Sequence, residues 1–248
     1  MKLMKNILVL LCLAGMQSCL KQSETLRFPA LTEYNPLQLG HTLTYRLDST
    51  FLGSSTTEFT ISSHLVKDSI ADTTRDNTQR LAYIIYRFIT DTLAANPWQS
   101  LYTYYTVAEE HTIEVMDDKN LRFIKMKQPV RDGFSWNGNS YIDTRSATSP
   151  YQYMEGWNYT YSNINQPYTV LKGTIENTIT VLQVDETSPP GPFDPGNYQQ
   201  RNYSIEVYAK GIGLIYKDFL HWTWQNTPPP ARFTDDSYGI RLNLVEYK

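Results

Sequence analysis

The residues of this 248-residue chain best able to do chemistry are four histidines, a few adjacent carboxylates and a heavy load of aromatics. His41, His64, His111 and His221 stand in no H-E-x-x-H or H-x-H spacing, so no metal is expected from them. Glu109-Glu110-His111 sets a carboxylate beside an imidazole, a pairing that can tune a base. On a strand, neighbours point to opposite faces, so only Glu109 and His111 could act together, and a surface charge pair is the simpler reading. Asp117-Asp118 and Asp235-Asp236 lack the alternating oxygens and turning glycine of a calcium loop, and read as turn caps. No serine lies in a G-x-S-x-G elbow. These spacings assign no catalytic residue, no metal and no cofactor. Two carboxylates brought together from distant strands would still suit glycan hydrolysis, which no spacing in a sequence can reveal.

The aromatic load is the stronger feature: nineteen Tyr and five Trp against only twelve Gly. Tyrosine and tryptophan join a flat apolar face to a polar edge, which suits both sugar rings and protein interfaces. Trp136, Trp157 and Tyr159, with Tyr151, Tyr153 and Tyr161, fall in a long irregular stretch. Trp222 and Trp224 stand two apart, so a strand would place them on one face, with His221, Thr223 and Gln225 opposite. Trp136, Trp157, Tyr159, Trp222 and Trp224 are therefore the candidate ligand-binding residues, provided they are exposed as a platform rather than spent on filling a core.

The elements that must position them read as antiparallel β. Leu43, Tyr45 and Leu47 alternate with polar residues, Glu58 to Val66 does the same, and Leu81 to Leu93 is apolar enough to be covered on both faces. Further strands fit Leu101 to Val107, Thr112 to Met116, and Leu121 to Lys127 after the Asp117-Asp118-Lys119-Asn120 turn. Residues 129–166 break the pattern, with one strand near Trp157 to Ser162. Such long loops are more often functional than connective. Thr169 to Asp185 and Tyr203 to Lys210 are clear strands, Gly211-Ile212-Gly213 a bulge or bend, Leu214 to Trp224 a continuation, and Ile240, Leu242 and Leu244 the last strand. No ten-residue amphipathic helix is visible, although short helical turns fit within Leu93 to Tyr105 and Tyr151 to Asn163. The expected fold is an all-β antiparallel barrel, half-barrel or sandwich with long aromatic-rich loops and little helix.

The first nineteen residues bear on location. Lys2 and Lys5 precede an apolar run from Ile7 to Met16, about ten residues and half the roughly 20 of a membrane-spanning helix, so it reads as a cleaved export signal. Leu13-Ala14-Gly15-Met16-Gln17-Ser18-Cys19 resembles a bacterial lipoprotein signal, which implies cleavage before Cys19 and acylation of that residue. One acyl chain binds a membrane only marginally, whereas two or three anchor a domain. The expected organisation is a signal peptide over 1–18, a lipid-anchored tether over 19–32 and a single β-rich domain over 33–248. Cys12 would leave with the signal, so no disulfide is expected in the mature domain. Net charge is −3, and −5 once Lys2 and Lys5 are removed, which argues against nucleic acid as a partner.

Tyr34-Asn-Pro-Leu-Gln-Leu-Gly40 and Ala209-Lys-Gly-Ile-Gly-Leu-Ile-Tyr-Lys-Asp-Phe-Leu-His-Trp-Thr-Trp224 resemble segments of uncharacterised surface or periplasmic lipoproteins of the Bacteroidetes. The resemblance implies a β-rich lipoprotein and no particular reaction. The combined expectation is a non-enzymatic binding or structural module of the cell envelope, held at the outer membrane through acylated Cys19 and engaging a glycan, a lipid or an envelope protein. Alternatives are a glycan-active envelope hydrolase and an accessory subunit of an outer-membrane assembly.

Overall fold

The structure is a computed structural model that describes residues 28–248. The signal peptide, Cys19 and most of the tether lie outside the described residues. A single helical turn, α1 (Leu31–Tyr34), precedes β1 (Thr42–Leu52), β2 (Phe59–Arg75), β3 (Leu81–Thr90), β4 (Gln99–Ala108), β5 (Thr112–Met116) and β6 (Arg122–Lys127). After a long loop carrying β7 (Ser135–Trp136) and a 3-10 turn at Gln152–Met154 come β8 (Tyr159–Val170), β9 (Gly173–Ser188), β10 (Gln199–Ala209) and β11 (Gly213–Gln225). The two-residue β12 (Arg232–Phe233) and β13 (Tyr238–Tyr247) complete the chain.

All strands form one antiparallel sheet in the order β6-β5-β4-β3-β2-β1-β13-β11-β10-β9-β8-β7, curled into a nearly closed barrel. The all-β expectation holds, and the barrel is the architecture among those expected. The last strand inserts between β1 and β11 and joins two runs of hairpins. The barrel closes without a ladder between its edge strands. Trp136 donates its indole N–H to the Ile124 carbonyl at 2.8 Å, Ile124 N–H donates to Gly138 O at 2.8 Å, and the Tyr161 hydroxyl bonds both backbone groups of Lys127. β6 is therefore an edge strand whose open side is covered by side chains rather than by a partner strand.

Several boundaries move. β2 runs on through the polar Asp72 to Arg75, which pair residue by residue with Ile84 to Leu81 of β3 and leave Asp72, Thr74 and Arg75 exposed. Leu31 is only 2% exposed and α1 packs into the main core, so the domain begins before residue 33. Gly211 and Gly213 adopt positive φ in a tight hairpin turn, the bend of the two alternatives, and the register shifts just beyond it between Leu214 and Tyr216. Most of the irregular stretch after residue 158 is strand, because Asn163 and Asn165 at positive φ, with two register shifts, bend β8 without ending it. That bend folds the β8–β9 hairpin tip over the sheet. Lys172 N–H donates to Leu244 O at 3.0 Å, and Val170 joins a second core cluster with Val207, Ala209 and Ile215.

Register defines two ends. At one, α1 and His41 meet the β10–β11 turn: Gly211 N–H donates to Glu33 O at 2.7 Å, and His41 Nε2 lies 2.9 Å from Ile212 O. At the other lie the Asp117 to Leu121 turn, the proline-rich 189–198 connection and the segment before β13. All strands lie between Thr42 and Tyr247, so a chain beginning at Leu20 retains every element described.

Candidate functional site

The inward parity of the strands builds a cavity of about 360 Å³ through the barrel. Its lining runs from Asn35, Pro36 and Leu37 at the N-terminal end to the exposed Asp118 and Lys119 at the other. The volume falls within the roughly 300–1,000 Å³ of ligand pockets, and aliphatic and aromatic side chains dominate the walls. Tyrosines supply most of the hydroxyls: Tyr45, Tyr102, Tyr104, Tyr159 and Tyr208 all line it.

Set into this wall, away from Asp117, Asp118 and Lys119 of the far-end turn, are five charged groups. On β2, Asp68 lies between the buried Val66 and Ile70; on β3, Arg87 follows Ile85 on the same parity. Cross-strand pairing of the two produces a two-pronged ion pair, with Arg87 Nε and Nη2 each 2.5 Å from an Asp68 oxygen. Tyr104 donates to Asp68 at 2.8 Å, and Tyr102 accepts from Arg87 at 2.7 Å. All three Arg87 nitrogens and both Asp68 oxygens are engaged, which offsets the cost of burying the two charges.

The second group is less balanced. Glu206 of β10, 2% exposed, receives Lys125 Nζ of β6 at 2.7 Å and the Tyr208 hydroxyl at 2.7 Å. Lys217, opposite Glu206 on β11, stands farther off, with its Nζ 3.5 Å from the same carboxylate oxygen. Burial alone would raise the Glu206 carboxyl, but the charges of Lys125 and Lys217 and the hydrogen bonds from Lys125 and Tyr208 outweigh it and hold it at about 2. Lys217 moves the other way: burial first, then the neighbouring Lys125 charge, bring its ammonium down to about 8 against the pull of Glu206. The Lys217 side chain retains 27% exposure although the group behaves as deeply buried. The two agree if the accessible surface is that of the cavity it lines.

Towards the far end, His221 is fully buried and stacks on Tyr153 at 3.9 Å, with its Nδ1 2.7 Å from Asn202 Oδ1. Its Nε2 lies 3.5 Å from Asp236, and the His221 contact brings that carboxyl down to about 2. The arrangement holds the Tyr153 loop against the barrel. Glu109, Glu110 and His111 form the exposed β4–β5 turn, with His111 3.9 Å from Glu110. Asp117 caps its turn by accepting from the backbone of Lys119 and Leu121.

The five candidate aromatics do not form one platform. Trp136 is 5% exposed and fills the seam, where barrel closure needs a bulky side chain with an N–H. Trp157 and Tyr159 are buried and line the cavity; Tyr159 donates to Asn139 Oδ1 at 2.7 Å. Trp222 and Trp224 do share the outer face opposite His221 and Thr223, as their spacing predicted. There they pack with Phe193 and Phe233, and Trp224 donates to Pro195 O. Exposed-platform stacking is thus replaced by three separate roles, because a wide barrel needs aromatic volume inside and at its seam.

Sequence reasoning missed Asp68, Arg87, Lys125, Glu206 and Lys217. Part of the signal was present: Asp68, Arg87 and Lys217 are each an isolated charge with apolar residues two positions away on both sides, whereas Lys125 is followed by Lys127 and Glu206 preceded by Ser204 at that spacing. Among the described residues no cluster of three metal-ligating side chains occurs.

No family model and no curated protein matches the chain. Among solved structures it is similar to a Bacteroides fragilis protein described as exported and as having a YmcC-like fold, at 8% identity and a TM-score of 0.37 over 85% of this chain and 98% of that one.

Proposed function

We propose that this protein is a non-enzymatic binding module of the cell envelope, anchored through acylated Cys19, whose ligand site is the barrel interior. The observation that carries the reading is the 360 Å³ cavity, apolar over most of its wall yet furnished with fixed charges and tyrosine hydroxyls. A core meant only for stability would close such a space, since unfilled volume costs about 24 cal/mol per Å³. The ligand is a small apolar or amphipathic molecule, which shifts weight from an envelope glycan towards a lipid. The hydrolase alternative needs a carboxyl with a raised pKa beside a second carboxylate. Glu206 is held low instead, and Asp68 is locked to Arg87.

The test is displacement of the neutral fluorophore N-phenyl-1-naphthylamine from residues 20–248 by uncharged amphiphiles. Saturable binding at one site per chain is expected, lost when Leu214→Trp fills the cavity without lowering the melting temperature. Absence of saturable binding by the parent chain contradicts the reading, as does full binding by the filled variant.

A further inference from the structure

Resting on the interior site proposed above, the charges inside it point to the chemistry of the ligand. Away from Asp117, Asp118 and Lys119 of the far-end turn, which also line the cavity, five groups of full charge face it: Arg87, Lys125 and Lys217 against Asp68 and Glu206. The Arg87–Asp68 pair is closed on itself, and Glu206 is already satisfied by Lys125 and Tyr208. Of these five, one cation is left without a close partner among the described residues. The nearest is Glu206 Oε1, 3.5 Å from Lys217 Nζ, which leaves the ammonium with donors to spare in the cavity it lines. Close by on the wall, Gln183 is 3% exposed, spends its Oε1 on Ser204 and has no hydrogen-bond partner for its Nε2 among the described residues. Around these donors the wall is aliphatic and aromatic, with Leu214, Phe219, Ile240 and Leu242 nearest in sequence and register.

We infer that the cavity holds an amphiphile with a single negative charge, of the fatty-acid class, whose carboxylate sits on Lys217 and whose hydrocarbon part lies along the apolar wall. A monoanion fits because it brings a close counter-charge to Lys217, whose only near carboxylate oxygen among the described residues is already taken by Lys125, whereas an uncharged ligand leaves that ammonium with the 3.5 Å contact alone. A hydrogen bond between ammonium and carboxylate is among the strong class.

The pH dependence follows from the groups facing Lys217. Glu206 and Tyr208 reach it from β10, Lys125 from β6, Arg87 from β3 and Asp68 from β2. Tyr45, Tyr102, Tyr104 and Tyr159 come from β1, β4 and β8, and His41 stands at the N-terminal end. On β13 the facing residues are Ile240, Leu242 and Tyr238, whose hydroxyl is pushed by burial above its ordinary range. Burial pushes Tyr45, Tyr102, Tyr104, Tyr159 and Tyr208 above their ordinary range, so they remain neutral while Lys217 titrates near 8.

The experiment compares dodecanoate with dodecan-1-ol on residues 20–248, by displacement of the same neutral fluorophore, for the parent chain, Lys217→Met and Lys217→Arg. At pH 7 the parent chain is expected to bind dodecanoate at least tenfold tighter than the alcohol. Lys217→Met removes that preference by weakening dodecanoate alone, and Lys217→Arg restores most of it. Dodecanoate affinity falls as pH rises through about 8, while alcohol affinity does not. Equal binding of the two ligands by the parent chain overturns the inference, and that comparison needs no variant to fold. Equal weakening of both ligands by Lys217→Met also overturns it; either result leaves the interior site standing. Binding of neither ligand removes the interior site as well.

Discussion

The Tyr161 hydroxyl accepts from the Lys127 backbone N–H at 2.9 Å and donates to the Lys127 carbonyl at 3.0 Å. One side chain thereby stands in for a strand residue across the seam of the barrel. Tyr161→Phe keeps the ring and strips both bonds, leaving a part-buried N–H and C=O unpaired. The expected cost is about 1–3 kcal/mol, seen in urea unfolding. Amide exchange of β6 should quicken while that of β1 to β3 does not.

Gly138 is required by its neighbour. A Cβ there would stand 2.2 to 2.5 Å from the Tyr159 ring, and the Gly138 carbonyl is pinned by Ile124 N–H. Gly138→Ala must push Tyr159 into the cavity or part the seam, and should destabilise by about 1–3 kcal/mol. If Tyr159 yields inward, fluorophore binding weakens together with the melting temperature.

Glu206 makes stability depend on acid. Its carboxyl is held at about 2 in the fold against an ordinary value of 4.5, so the folded state binds its proton less readily than the unfolded chain. The contribution is fully present above about pH 4.5 and is lost as pH falls towards 2. Glu206→Gln also leaves Lys125 and Lys217 facing the cavity without their carboxylate, and should cost about 3–5 kcal/mol at pH 7. The difference between parent and variant should shrink steadily below pH 4.5. A difference independent of pH would show that Glu206 acts through packing alone.

Asn163 holds a left-handed backbone, φ 54°, where β8 bends. Asn163→Gly should be tolerated, whereas Asn163→Ala should cost about 1–2 kcal/mol in chemical denaturation. Equal stability of the two variants would mean that the bend does not rest on that conformation.

Much of the barrel was legible because period-two alternation and turn residues are local signals. The strand at Thr112 to Met116 was read directly. The β10 strand shows the limit. Its inward residues are Asn202, Ser204, Glu206 and Tyr208, and its other face buries Val207 and Ala209 beneath the β8–β9 hairpin. Parity identifies two faces but not which one looks into the barrel, and a polar interior reverses the usual assignment. The candidate aromatics were legible as important volumes. That Trp136 would close a seam and Trp157 line a cavity depended on contacts from residues far away in sequence. The lone inward charge Asp68, between Val66 and Ile70, was readable as an exception to pattern, but its partner on β3 was set by strand order alone.

The central claim is that the barrel interior is the ligand site. Methyl-resolved NMR of residues 20–248 titrated with dodecan-1-ol tests it most directly. Shift changes are expected at the inward Leu43, Ile70, Ile85, Leu214, Ile240 and Leu242, saturating together at one ligand per chain. Changes confined to outward methyls such as Ile61 and Leu171, or no saturable changes at all, would contradict it.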